Sequence, residues 1–135
     1  MRLAVFGSRS LHGAQVRSAI IAHMQTAKAT HLVTAGEPDG VCREAQNVAR
    51  ESSGPITLHW LQPKERAAGK YHWRSVAVLS DCDAVLFVWD GKSKGTANEK
   101  KLADKKNTPC TVLQLNPILD SQGIEDAIAK IREAD

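Results

Sequence analysis

The chain lacks the devices by which small secreted or metal-built domains hold themselves together. Its three cysteines, Cys42, Cys82 and Cys110, are odd in number and widely spaced, with no CxxC pair. That argues against a disulfide framework or a structural zinc site and fits a reducing, cytoplasmic setting; they read as small core or loop residues. The five histidines have no metal-ligand spacing either, so no metal is expected. No apolar stretch approaches the length of a membrane span. Met1 to Phe6 is too short for a signal peptide and runs straight into a loop, so neither a membrane nor secretion is expected. Excess charge of one sign is missing as well: a net charge of +3 permits anionic partners without demanding them. The glycines match neither the GxGxxG fingerprint nor the GxxxxGK[ST] phosphate loop. No repeat, linker or low-complexity segment divides the 135 residues, which are long enough for one core and read as a single domain, 1–135.

What is present is organised around Arg74 to Glu99. The segment Asp83 to Trp89 is, after its leading aspartate, an unbroken run of apolar, β-branched and aromatic residues, as in a strand buried on both faces of a parallel sheet. Asp90, Gly91, Lys92, Ser93, Lys94, Gly95 and Thr96 follow as a loop of small residues and two ammonium groups, and a helix is expected from about Ala97 to Lys106. Strand, glycine-rich loop and helix N-terminus together form the usual α/β phosphate cradle, because glycine lets backbone N–H groups approach and the helix dipole favours negative charge.

The remaining chain alternates in the same way. Strands are predicted at Arg2–Phe6, His31–Thr34, Ile56–Trp60 and Thr111–Leu115, and helices at Gln15–Lys28, from Val41 to Ser52, from about Lys70 to Ser80, and at Ile124–Ala134. Pro63 to Gly69 reads as a surface excursion. Serial βα units imply an α/β fold: a Rossmann-like three-layer sandwich with about five parallel strands and helices on both faces. The loops Gly7–Ser10, Ala35–Gly40 and Trp89–Thr96 then meet at the carboxyl edge of the sheet around one crevice.

Gly7-Ser8-Arg9 after the first strand, Thr34-Ala35-Gly36 with Asp39-Gly40-Val41 after the second, and Arg74 followed by the run Cys82 to Thr96 with its WDGxSxGT core resemble the SLOG superfamily. This is the Rossmann-like group named for DNA-processing protein A and the LONELY GUY phosphoribohydrolases, and the chain is most similar to its YspA/YpsA-related branch. The resemblance spans about Met1 to Leu115. It implies a nucleotide or nucleotide-derived ligand bound by a sensor-type module, frequent homodimers and no cofactor. LONELY GUY enzymes hydrolyse the N-glycosidic bond of nucleoside 5′-monophosphates with an arginine and a PGGxGTxxE loop. Arg74 stands where that arginine would, and Gly95-Thr96-Ala97-Asn98-Glu99 matches the GTxxE half, which makes Arg74 and Glu99 the candidate catalytic pair. Gly7, Ser8, Arg9, Gly36, Gly40, Asp90, Gly91, Ser93, Gly95 and Thr96 are the candidate ligand or phosphate contacts. The PGG portion is replaced by Trp89 to Lys94, and Ser75 replaces the lysine that usually follows the arginine. Glu37 and Asp39 place carboxylates where a phosphate would be expected. Binding of single-stranded nucleic acid is the weaker alternative, because Glu37, Asp39 and Asp90 interrupt any basic groove.

Structural roles compete for the same residues. Thr96 to Glu99 also reads as a capping box, with the Thr96 hydroxyl and the Glu99 carboxylate each serving the other's backbone N–H. Arg74, Lys92 and Lys94 could be ordinary solvated charges, and Ser8 and Arg9 could cap the first helix. Trp60 and Trp89 could close the core or a dimer interface instead of stacking on a base. Val41, Ala45, Val48 and Val76 are the residues that would pack across a two-fold.

Overall fold

A computed structural model describes residues 1–61, 64, 65, 69 and 71–116. β1 (Arg2–Gly7), β2 (His31–Ala35), β3 (Ile56–His59), β4 (Ala84–Trp89) and β5 (Cys110–Gln114) alternate with α1 (Ala14–Ala27), α2 (Gly40–Ser52), α3 (Tyr71–Ser80) and α4 (Lys94–Lys105). The sheet is wholly parallel with strand order β3-β2-β1-β4-β5. The expected helix at Ile124–Ala134 falls outside the described residues.

The two central strands show why their sequences carry no alternation. Leu3 and Val5 of β1 and Leu86 and Val88 of β4 enter one core with Val16, Ile20, Val41, Ala45 and Val48 from α1 and α2. Their neighbours Ala4, Phe6, Val85 and Phe87 enter a second core with Val78, Leu79 and Ala103 from α3 and α4. A strand with helices on both faces needs an apolar residue at every position, and this one has them. Phe6 and Phe87, in register across the β1–β4 pair, stack with ring centroids 5.7 Å apart.

Close approach at the carboxyl edge is built into two glycines. A Cβ on Gly7 would lie 2.3 Å from the Val88 carbonyl oxygen and 2.5 Å from the Val41 side chain, so β1, β4 and α2 can meet only at a glycine. Gly40 has φ +69° and lies against the Arg9 backbone, where a Cβ would come within 2.6 Å of Arg9 Cα; its left-handed conformation suits a residue without a side chain.

Three expectations are corrected. Val41, Ala45 and Val48 are buried within the chain's own core, so they are spent on the sheet and do not form an intersubunit surface. Trp60 is 61% exposed, and so it closes no core; its ring covers Gly36, where an added Cβ would meet it at 2.3 Å. The helix expected from Ala97 begins at Lys94, because Ser93 is its N-cap and accepts from the Thr96 N–H. Lys94, Gly95 and Thr96 therefore belong to the first turn of α4. Glu99, a turn further on, takes no part in a capping box.

Candidate functional site at the carboxyl edge of the sheet

The three post-strand loops are joined to one another by hydrogen bonds. Ser8, fully buried, donates its N–H to the Val88 carbonyl at 3.1 Å, accepts from the Val41 N–H at 3.3 Å through its own carbonyl, and accepts from the Asp90 N–H at 3.0 Å through its hydroxyl. Asp90 organises the third loop. Its Oδ1 accepts from the N–H groups of Lys92 and Ser93, each at 2.8 Å, and its Oδ2 from the Ser10 hydroxyl at 2.7 Å. The Ser10 hydrogen bond first, then those backbone donors and Ser8, hold its carboxyl down at about 2. The second loop is carried by Gln46 of α2, whose amide donates to the carbonyls of Ala35 (3.3 Å) and Glu37 (2.9 Å).

These loops, the first turns of α3 and the first turns of α4 enclose a cavity of about 630 Å³. Of the expected contacts, Gly7, Arg9, Asp90, Ser93, Gly95 and Thr96 line it, together with both expected catalytic residues, Arg74 and Glu99. Ser8, Gly36, Gly40 and Gly91 are outside the lining. Ser8 ties the loops, Gly36 carries the Trp60 ring, Gly40 packs on Arg9, and Gly91 turns the third loop beside Gln114. Lys92 and Lys94 are exposed and do not reach the cavity. Trp89, half-buried, donates its indole N–H to the Ser93 carbonyl at 2.9 Å and so braces the third loop.

Charge on the cavity floor is arranged in two adjoining pairs. Glu37, 5% exposed, ion-pairs through Oε1 with the Arg74 guanidinium, itself 10% exposed, and through Oε2 with Arg9 at 3.5 Å. The ring of Tyr71, one turn before Arg74 on α3, sits under the guanidinium at 5.3 Å. The Arg74 Nε has no hydrogen-bond partner, the one buried side-chain nitrogen or oxygen in that condition among the described residues. Beside this pair, Ser75 donates its hydroxyl to Glu99 Oε2 at 3.0 Å. Burial pushes the Glu99 carboxyl up to about 7, against the pull of the Ser75 hydrogen bond and the Arg74 charge, with Glu37 adding to the rise. Cys42 also lines the cavity, but burial raises its thiol to about 11, so it is a neutral wall and not a nucleophile.

Glu37, Tyr71, Ser75 and Cys42 belong to the cavity, yet none stands among the expected contacts. For Tyr71 the signal was the helix period, since a residue one turn before Arg74 shares its face; for Ser75 it was adjacency to Arg74 alone. For Glu37 no local signal existed. Its partner lies 37 residues away, and only the sheet order brings α3 over β2.

Among the described residues no group of three or more His, Cys, Asp and Glu is placed to hold a metal ion, and no helix is long and apolar enough to cross a membrane.

No family model matches the chain, and no curated protein matches it in sequence. A solved structure does match. The chain is similar in fold to DNA processing protein A. That structure, from Helicobacter pylori and described for its single-stranded DNA binding mode, superposes with a TM-score of 0.57 over 96% of this chain and 72% of its own, at 20% identity. The likeness to DNA processing protein A is one of backbone, and the chemistry of the cavity is that of this chain's own side chains.

Proposed function

We propose that this chain is a SLOG-type domain, of the YspA/YpsA-related kind, that binds a nucleotide or nucleotide-derived small molecule in the carboxyl-edge cavity. The observation that carries the reading is the floor of that cavity: Arg74, whose buried Nε has no acceptor, and Glu99, whose carboxyl accepts from Ser75, both line a space of about 630 Å³. A hydroxyl group can accept from the Arg74 N–H and donate to the Glu99 carboxylate, and a ribose brings two. The volume falls within the range of small-molecule sites, about 300–1,000 Å³. At the rim, the N-terminus of α4 at Ser93 to Thr96 and the exposed guanidinium of Arg9 offer an anion seat for phosphate.

The test is thermal stabilisation by AMP and the other nucleoside 5′-monophosphates, NAD and ADP-ribose, followed by chromatography of each stabilising ligand after incubation. A ligand bound by the native state alone, at about 100-fold its Kd, adds roughly 2.7 kcal/mol of stability. No shift with any of them would end the reading.

Hydrolysis of the N-glycosidic bond is a second reading, favoured by Glu99. A carboxyl at about 7 is divided between acid and carboxylate near neutral pH, so it can stabilise developing positive charge on the sugar or handle a proton. Free base released by the native chain and lost in Glu99→Gln, with binding retained, would establish it; binding without release leaves a sensor. Single-stranded DNA, which the H. pylori protein binds, is disfavoured by the carboxylates of Glu37, Asp39, Asp90 and Glu99 in the cavity lining. Oligonucleotide binding that weakens steeply with salt would reverse that order. Assembly into a homodimer is part of the same family reading, and sedimentation at tens of micromolar tests it.

A further inference from the structure

We infer that Glu37 is an internal anion that occupies the anion seat of Arg74, so that the deep end of the cavity selects a neutral, hydroxyl-bearing group and rejects a phosphate. The inference rests on the nucleotide reading for the identity of the ligand, and on the ion pair alone for the charge rule.

A cavity-lining arginine is ordinarily a two-pronged receptor for a phosphate or carboxylate from the ligand. Here Arg74 already holds a carboxylate from its own chain. Glu37 is buried and fixed there: its backbone carbonyl is held by Gln46, the preceding Gly36 donates its N–H to the His59 carbonyl at 3.0 Å, and Arg9 closes on the second carboxylate oxygen from the rim. A ligand phosphate arriving at Arg74 would have to displace a buried, ion-paired carboxylate from it. It would also meet Glu99, so the floor presents two carboxyl groups against one guanidinium. Besides the ion pair, the cavity lining carries one N–H without an acceptor, the buried Arg74 Nε, and the carboxyl of Glu99. That pair suits an uncharged hydroxyl. Anionic groups of the ligand are thereby directed outward, to Arg9 and the head of α4.

The rule predicts discrimination by the position of a phosphate. Nucleoside 5′-monophosphates are compared by calorimetry with the matching nucleoside 3′,5′-bisphosphates, in the wild-type chain and in Glu37→Gln. Wild type should bind the bisphosphate at least tenfold more weakly, and in Glu37→Gln that penalty should shrink at least fivefold because Arg74 is uncovered. Inorganic phosphate serves as a probe independent of any nucleotide: Glu37→Gln should gain thermal stabilisation by phosphate beyond what the rim seat gives wild type. A folded Glu37→Gln that gains nothing from phosphate overturns the inference, whatever the nucleotides do. If wild type binds no nucleotide but Glu37→Gln gains phosphate, the nucleotide reading fails and the charge rule stands. Should Glu37→Gln not fold, the wild-type comparison decides, and bisphosphates bound as tightly as monophosphates refute the rule.

Discussion

Ser75 on α3 donates its hydroxyl to Glu99 on α4 across 3.0 Å, and through this bond the two helices that flank the cavity share one carboxyl group. The position holds a small hydroxyl where the resemblance leads one to expect a lysine. A serine can orient Glu99 without neutralising it, so its charge state is left to burial and to pH.

The first prediction concerns that pH dependence. The Glu99 carboxyl is raised to about 7 from an unfolded value near 4.5. A raised acid favours folding while it is protonated, so its stabilising share is complete below about 4.5 and declines as the pH rises toward 7, after which the loss is constant. The ligand-free chain should therefore be less stable at pH 8 than at pH 5, by about 2 kcal/mol once partial solvent screening is allowed for. Denaturant melts at the two pH values measure it. Glu99→Gln should abolish most of the difference, and an unchanged difference would show that Glu99 is not its source.

The second concerns the ion pair. Arg74→Gln leaves the buried Glu37 carboxylate without this partner and should cost about 3 kcal/mol. Glu37→Gln alone should cost less. The double variant Glu37→Gln/Arg74→Gln should recover more than half of the Arg74→Gln loss, since neither charge is then stranded. Additive losses in a double-mutant cycle would mean that the two side chains are not coupled.

The third contrasts two glycines of the same loop system. Gly7→Ala drives a methyl group into the Val88 carbonyl oxygen and the Val41 side chain, and at least about 2 kcal/mol of stability should be lost. Gly95→Ala, in the first turn of α4 with nothing within 4 Å of the added Cβ, should instead gain roughly 0.5–1 kcal/mol from helix propensity. If a ligand phosphate closes on the α4 N-terminus, that same methyl group weakens ligand binding while stability rises. A gain in stability with unchanged affinity would move the phosphate elsewhere.

The fourth concerns the third loop. Asp90→Ala removes the acceptor for two backbone N–H groups and for Ser10 and should destabilise the chain by about 1 kcal/mol, the usual cost of losing such a local side-chain cap. Ser93→Ala should act similarly by removing the α4 cap. In both cases hydrogen exchange should quicken in residues 91 to 97 before it does elsewhere.

Much of the architecture was legible because it rests on local patterns. An apolar residue at every position from Ala84 to Trp89 reads as a strand with two covered faces, and the loops after β1, β2 and β4 meet where a parallel sheet must bring them. Arg74 and Glu99 could be singled out by resemblance, and both line the cavity. The start of α4 was misplaced because Lys94 and Gly95 resemble loop residues, whereas the Ser93 hydroxyl caps a turn that includes them. The pairing of Glu37 with Arg74 was not legible at all. Nothing in Gly36-Glu37-Pro38-Asp39 announces a buried charge; its burial depends on α3 crossing β2, a relationship of tertiary structure alone.

The strand order has a consequence for synthesis. β1, the first of these five strands to be synthesised, lies in the middle of the sheet. It can pair with β2 almost at once, but its other edge waits for β4, and the Ser8–Asp90 bond that locks the first loop to the third joins residues 82 apart. At 5–20 residues per second, that gap lasts roughly 4–16 s. During it the second edge of β1 is open and both cores are incomplete, so a nascent chain halted short of Asp90 exposes a bare strand and has no ligand site.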